Sequence, residues 1–248
     1  MTDQPMTNTG SIDSDVQSVL KRLGTRAMGL TGADVERIVR EARQVARRQK
    51  RSIRYKDLED GIRMNRPELP HDLRWRFAVH EAGHAIVHHA LKLGPIQGIT
   101  IDMPDGGYSL LAFQRSGSDT LSYREDLLAM LLAGRAAEQI VFCSVSVGSA
   151  GSDDSDLARA TGLALALERS LGFGAVQPLL YRDDKDPTPV LDAHSDLAAR
   201  VHARLEKALA KALDLLTGSR DKLDRLTAVL FEQQVLDGDV VLEILNEG

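Results

Sequence analysis

The sequence predicts a mainly α-helical fold with one small β-hairpin, and three observations carry that expectation. Aromatic residues make up only 4% of the chain, while Ala and Leu dominate its second half, a composition that favours helices over a β-sandwich. Long stretches repeat apolar residues at helical spacing and are separated by Gly-, Ser-, Asp- or Pro-rich breaks. Only residues 98–102 and 108–113 have extended character, around the turn Pro104-Asp105-Gly106-Gly107.

The 248 residues, 43% hydrophobic and 27% charged, match an ordinary globular chain of one large or two small domains and argue against wholesale disorder. No run of 18 apolar residues occurs and the first ten residues are polar, so neither a membrane span nor a signal peptide is expected. Cys143 is the single cysteine and cannot form an internal disulfide. Stability then rests on packing, and a reducing, cytoplasmic setting is expected.

Charge divides the chain. Up to Arg66 there are 14 Lys and Arg against 9 Asp and Glu, a net +5, which leaves −10 for the remainder. The break falls at Arg66-Pro67 and Leu69-Pro70, where each proline disfavours helix in the residue before it. Three segments are expected: a disordered N-terminus over 1–14, a helical module over 15–66, and a larger domain over 67–248.

In the module, Thr31-Gly32-Ala33-Asp34 opens a helix whose Val35, Ile38, Val39, Ala42, Val45 and Ala46 recur at helical spacing. Its other face is basic: Arg37, Arg40, Arg43, Arg47, Arg48, Lys50 and Arg51. Such a face suits phosphates, so a nucleic-acid-binding adaptor is one reading, with a solvated or interface face as the other. Residues 55–62 predict a second short helix. In the larger domain, helices are predicted over 71–93, 121–142, 156–171, 192–216, 220–234 and 239–245.

The chemistry concentrates in the first of these. His80-Glu81-Ala82-Gly83-His84 is a HExxH pattern, and residues four apart on a helix share one face, so both imidazoles reach a single ion. Zinc accepts such nitrogens, with Glu81 placed to take a proton from water. The surrounding Phe77, Ala78, Val79, Ala82, Ala85, Ile86 and Val87 are apolar, where a His-Glu-His cluster without a metal would be costly. Gly83, unfavourable in mid-helix, predicts close packing there. His88 and His89 are expected at the surface or in support. A catalytic zinc needs a third ligand. Glu138 in Gly134-Arg135-Ala136-Ala137-Glu138 and Asp153, Asp154 or Asp156 before the 156–171 helix are the candidates. The competing roles are an ion pair with Arg135 for Glu138 and N-capping for the aspartates.

His80-Glu81-Ala82-Gly83-His84-Ala85, Gly134-Arg135-Ala136-Ala137-Glu138 and Ser155-Asp156-Leu157-Ala158-Arg159-Ala160-Thr161 stand in the order and approximate spacing of FtsH-type proteases, which are membrane-anchored AAA+ zinc proteases. Gly172-Phe173 and Pro178-Leu179-Leu180-Tyr181 are also similar, and Met28 to Val35 resembles the end of an AAA+ lid. The resemblance implies a helical zinc-peptidase domain preceded by a lid remnant, with Asp156 as third ligand and Glu138 orienting a ligand histidine. It further implies an edge strand at Tyr108, Ser109, Leu110 and Leu111 that holds substrate backbone, and assembly into hexameric rings. Ser155 stands where Asn is usual, and the 151–155 loop is longer than the family's, which keeps Asp153 and Asp154 in play. No Gly-x-x-x-x-Gly-Lys-Ser/Thr phosphate loop is present. The expected activity is zinc-dependent cleavage of unfolded polypeptides, against a proteolytically inactive metal-containing interaction module.

Overall fold

The computed structural model describes residues 9–27, 29–65, 69–103, 106–113, 119–146, 153–182 and 187–247. It divides into two compact units, one formed by 1–69 with 102–105 and the other by 70–101 with 106–248. The expected boundary at Arg66-Pro67 lies outside the described residues, as do residues 1–8, the turn residues 104–105 and the 151–152 part of the candidate ligand loop.

The first unit is helical. Helix α1 (Thr9–Arg26) already covers 9–14, part of the segment expected to be disordered, with Val16, Val19, Leu20 and Leu23 continuing at helical spacing. Helix α2 (Gly32–Arg48) starts with a capping box between Thr31 and Asp34, which satisfies amides that have no partner inside the helix. Of the apolar face read from the sequence, Ile38, Ala42 and Ala46 are buried, while Val35 and Val45 are exposed. Helix α3 (Tyr55–Met64) is tied to the end of α2 by Arg51, which grips Asp57 through two hydrogen bonds of 2.6 and 2.7 Å. Arg40, Arg43, Arg47 and Arg48 are exposed.

The second unit is built around α4 (His71–Ala90), buried without interruption from Ala78 to His88. A helix apolar all round belongs in a core, and residues 133–142 and 220–233, both helical, lie against it together with the strand at 106–111. The chain next forms β1 (Ile96–Met103), β2 (Gly106–Leu111), α5 (Leu121–Leu131), α6 (Ala133–Phe142), α7 (Asp156–Arg169), α8 (Pro187–Ala193), α9 (Ser195–Thr217), α10 (Arg220–Gln233), β3 (Val235–Asp237) and α11 (Gly238–Asn246). The sheet order is β2-β1-β3, with β1 and β3 antiparallel and Ile99 opposite Leu236. The fold is therefore mainly α with a small antiparallel sheet, one strand larger than the predicted hairpin.

Most helix ends fall within two residues of the sequence reading, and the larger differences are these. The predicted 121–142 helix is two, joined at Leu132. The Met130 carbonyl beside that joint accepts a hydrogen bond from His84 Nδ1 at 2.9 Å, and helices kink where a side chain enters their hydrogen-bond ladder. The helix predicted from residue 192 begins at Ser195, after a short separate α8, because His194 is non-helical at φ −134° and ψ 82°. Helix α4 stops at Ala90 rather than 93, with Lys92 already at φ 54°.

Gly83 has the predicted packing role. A Cβ there would sit 2.6 Å from Ala137 Cβ and 2.7 Å from the Ala133 carbonyl, so glycine is what lets α4 and α6 approach.

Candidate metal centre

Three helices deliver the centre. Helix α4 supplies His80 and His84 one turn apart, and α7 supplies Asp156 as its first residue. Ser155 caps α7, its hydroxyl accepting from the Ala158 amide at 3.3 Å, so the residue before Asp156 does the capping and leaves the Asp156 carboxylate available. Helix α6 passes so close to His80 that a Cβ on Gly134 would overlap the imidazole.

His80 Nε2 and His84 Nε2 are 3.1 Å apart, and Asp156 Oδ2 lies 3.2 Å from the first and 3.0 Å from the second. The opposite ring nitrogens are engaged: His80 Nδ1 meets Glu138 Oε1 at 2.9 Å and His84 Nδ1 meets the Met130 carbonyl at 2.9 Å. Both partners are acceptors, so each Nδ1 carries a hydrogen, and each Nε2 is the nitrogen turned to the shared point. Three such acceptors at that separation repel one another unless a proton or a metal ion lies between them. The donor set of two imidazole nitrogens and one carboxylate oxygen fits a tetrahedral divalent metal with one position open.

The electrostatics give the same preference for positive charge. Burial opposes a charge on His80, but Asp156 and Glu138 on its two nitrogens outweigh it and push the imidazole up to about 10. Burial likewise raises the Asp156 carboxyl, yet the adjoining His84 and His80 hold it far below the usual carboxylate range. Glu138 is fully buried, and His80, Arg76 and the Ser146 amide overcome that burial to hold its carboxyl at about 2.

Glu138 thus lies behind His80 instead of joining the three donors. Its partner is Arg76, whose Nη1 donates to Oε2 at 2.7 Å, and not the neighbouring Arg135. The Ser146 amide donates to Oε2 at 2.7 Å and the Ser146 hydroxyl to Oε1 at 3.0 Å. Asp153 and Asp154 are exposed and do not take part in the His80, His84 and Asp156 group.

Glu81 is buried next to the two histidines, and Ser109 on β2 donates its hydroxyl to Glu81 Oε2 at 2.5 Å. Gly107, two residues earlier, leaves the room that Glu81 occupies. Strand alternation puts Ser109 and Leu111 on the α4 side, with Leu111 packed on the core, and Tyr108 and Leu110 on the other side. Tyr108 is half exposed, and β2 forms one edge of the sheet. His88 is fully buried, not at the surface; its Nε2 donates to the Gly94 carbonyl at 3.0 Å and ties the end of α4 to the following turn.

Sequence reasoning missed Arg76, Ser146 and the Met130 carbonyl. Residues 69–244 match the family described as Peptidase family M41. The chain is 31% identical over 258 residues to the ATP-dependent zinc metalloprotease FtsH 3 of Symbiobacterium thermophilum, covering 92% of this chain and 40% of that protein. It is 32% identical over 254 residues to the ATP-dependent zinc metalloprotease FtsH of Hahella chejuensis, with the same 92% and 40% shares. Against FtsH of Thermotoga maritima the identity is 30% over 256 residues, covering 92% of this chain and 41% of the relative. The chain therefore spans about 40% of the length of these curated relatives.

Proposed function

The chain belongs to peptidase family M41, and from that premise we propose that it is a zinc-dependent endopeptidase acting on unfolded polypeptides. The observation that carries this is the convergence of His80 Nε2, His84 Nε2 and Asp156 Oδ2 beside the carboxylate of Glu81. These three atoms would hold the ion. When bound, zinc supplies a Lewis acid that polarises a carbonyl and makes water acidic near neutral pH.

The chain's own residues do the rest. Glu81 accepts the proton of the attacking water and returns it to the departing amine, with Ser109 fixing its Oε2. Glu138 fixes the ring orientation of His80 through Nδ1. Tyr108, Ser109, Leu110 and Leu111 bind substrate backbone by strand addition at the free edge of β2, which requires an extended chain and hence an unfolded one.

We assign 67–248 to the peptidase domain and 15–66 to a lid-like segment, on the motif resemblance and the match of 69–244. Self-association into a hexameric ring follows the same resemblance. No described helix is long and apolar enough to cross a membrane. The lone Cys143 suits the cytoplasm.

Casein hydrolysis with and without a chelator tests the reading. Zinc-loaded protein should cleave, chelation should stop it, and Glu81→Gln should keep its zinc while losing about 10²–10⁴-fold in rate. Undiminished cleavage by Glu81→Gln overturns the mechanism. Absence of cleavage by the zinc-loaded wild type favours the inactive metal-containing module.

A further inference from the structure

The outward side of α2 carries positive charge that its own unit leaves unneutralised. Up to Arg66 the chain holds 14 Lys and Arg against 9 Asp and Glu, and most of those acids are engaged elsewhere. Asp34 and Glu41 face Arg37 at 3.1 and 3.7 Å, Asp57 takes Arg51 at 2.6 Å, Glu59 takes Arg26 at 3.1 Å and Asp60 takes Lys56 at 3.6 Å. Arg40, Arg43, Arg47 and Arg48 are exposed and make no hydrogen bond or ion pair with any described residue. We propose that this side of α2 binds double-stranded nucleic acid through its phosphates, without reading its bases.

The row follows from helical spacing. Arg40, Arg43 and Arg47 stand at i, i+3 and i+7, so they share one side of the helix and span about 10 Å along its axis. Gln44 lies beside them, and Glu36, one turn before Arg40, is the acid at the near end of the row. A guanidinium keeps its charge throughout the physiological range and presents a rigid fork of N–H donors that matches a phosphate. A duplex carries one negative charge per about 1.7 Å of its axis, so a row of this length meets several phosphates.

The rest of the helix selects a duplex over other anions. Ile38, Ala42 and Ala46 are buried, and α3 comes so near that a Cβ on its Gly61 would lie 2.7 Å from Ile38 Cγ2. A helix that lies in a membrane surface gives its apolar face to the lipid, and α2 has already given its own to α3. A protein partner needs an apolar interface core, and the arginine row contains no large apolar residue. Single strands are held by stacking their bases on aromatic rings. Tyr55 is the one aromatic residue before Pro70, and its hydroxyl accepts from Arg26 Nε at 3.2 Å. A duplex needs no such platform, because its bases are stacked on one another.

The probe is a short fluorescein-labelled DNA duplex of mixed sequence, titrated with the full chain and followed by anisotropy. From about 20 to about 200 mM salt the affinity should fall about 500-fold, the slope of about −3 expected for one phosphate per arginine of the row, and a second sequence should give the same values. Arg43→Gln/Arg47→Gln, at exposed helix positions, should reduce that fall to about tenfold with unchanged circular dichroism. Arg220→Gln/Arg225→Gln changes the net charge equally at exposed arginines that already face Asp224 and Glu247, and should keep the wild-type slope. Four results would each overturn the proposal: no saturable binding at the lowest salt, an unchanged slope in folded Arg43→Gln/Arg47→Gln, an equal loss in Arg220→Gln/Arg225→Gln, or tighter binding to phosphatidylserine vesicles than to the duplex. The readout uses neither metal nor peptide cleavage, so it stands or falls separately from the peptidase reading.

Discussion

His80 and Glu138, 58 positions apart, are joined through His80 Nδ1 and Glu138 Oε1 at 2.9 Å inside the protein, and Arg76 holds the same carboxylate from its other side. Held this way, His80 is oriented to offer its Nε2 to the shared point before any ion arrives. Its basicity is raised as well, because the carboxylate stabilises positive charge on the ring.

Removing the charge behind the ring should therefore weaken metal binding without touching a ligand atom. Glu138→Gln is expected to lose about 10–100-fold in zinc affinity, measured by competition with a chromophoric chelator. Arg76→Leu should fall in the same direction by less, since Ser146 still donates to Glu138. Unchanged affinity in Glu138→Gln would show that the contact is packing alone.

Metal removal should also be visible in stability. Zinc that binds only the folded state contributes about 4 kcal/mol when its free concentration is 1,000 times Kd. Chelation is expected to lower the melting temperature of the wild type by several degrees and to leave Asp156→Asn nearly unmoved. A wild-type melting curve indifferent to both zinc and chelator would remove the ion from the account.

Gly134 gives a steric version of the same test. A Cβ at this position overlaps the His80 ring, and the helix backbone that carries it is buried at Ala133, Ala136 and Ala137. Gly134→Ala must displace the imidazole or the helix, so a loss of about 1–3 kcal/mol and of stoichiometric zinc is expected from urea melts and metal analysis. Gly162→Ala, where no atom lies within 4 Å, serves as the benign comparison.

What could be read from the sequence was what is local. His80, Glu81 and His84 declare themselves because a helix turns a four-residue spacing into one face. Asp156 lies 76 positions from His80, and no periodicity connects them; only the ordered motifs of a known family singled it out from Asp153 and Asp154. Arg76 was invisible because its partner is 62 positions away and one arginine in a helix has no distinctive neighbours. The Met130 carbonyl carries no residue-type signal at all, and His84 meets it beside the helix break at Leu132. Strand β3 spans only Val235–Asp237, too short for alternation to register, and it exists through its pairing with β1.

Ser109 should separate catalysis from metal binding. Its hydroxyl touches Glu81 at 2.5 Å and no metal-binding atom. Ser109→Ala is expected to retain full zinc content and lose about tenfold in kcat, the worth of one hydrogen bond to a charged group. A fall in zinc content matching the fall in rate would place Ser109 in the architecture of the centre, not in the orientation of Glu81.

Glu168 gives the pH dependence of the fold. Its side chain is 3% exposed and accepts from Arg200 Nε at 2.9 Å and Arg204 Nε at 2.7 Å, fastening α7 to α9. Burial raises its carboxyl, but the two guanidiniums prevail and hold it below its ordinary value of 4.5. A folded-state value below the unfolded one means stability that is complete above pH 4.5 and is lost as pH falls through the lower, folded-state value. The Glu168 contribution, read as the difference between wild-type and Glu168→Gln urea midpoints, should therefore be flat from pH 7 to 5 and decline below about 4.5. Glu168→Gln should lower the pH 7 midpoint by an amount on the order of 2 kcal/mol, because Arg200 and Arg204 are partly exposed and regain water. In the same variant the acid decline should become shallower, since one of the groups that must be protonated is gone. Parallel pH profiles for wild type and Glu168→Gln would mean that the acid sensitivity resides in other carboxylates, with Asp156 and Glu138 the first to test.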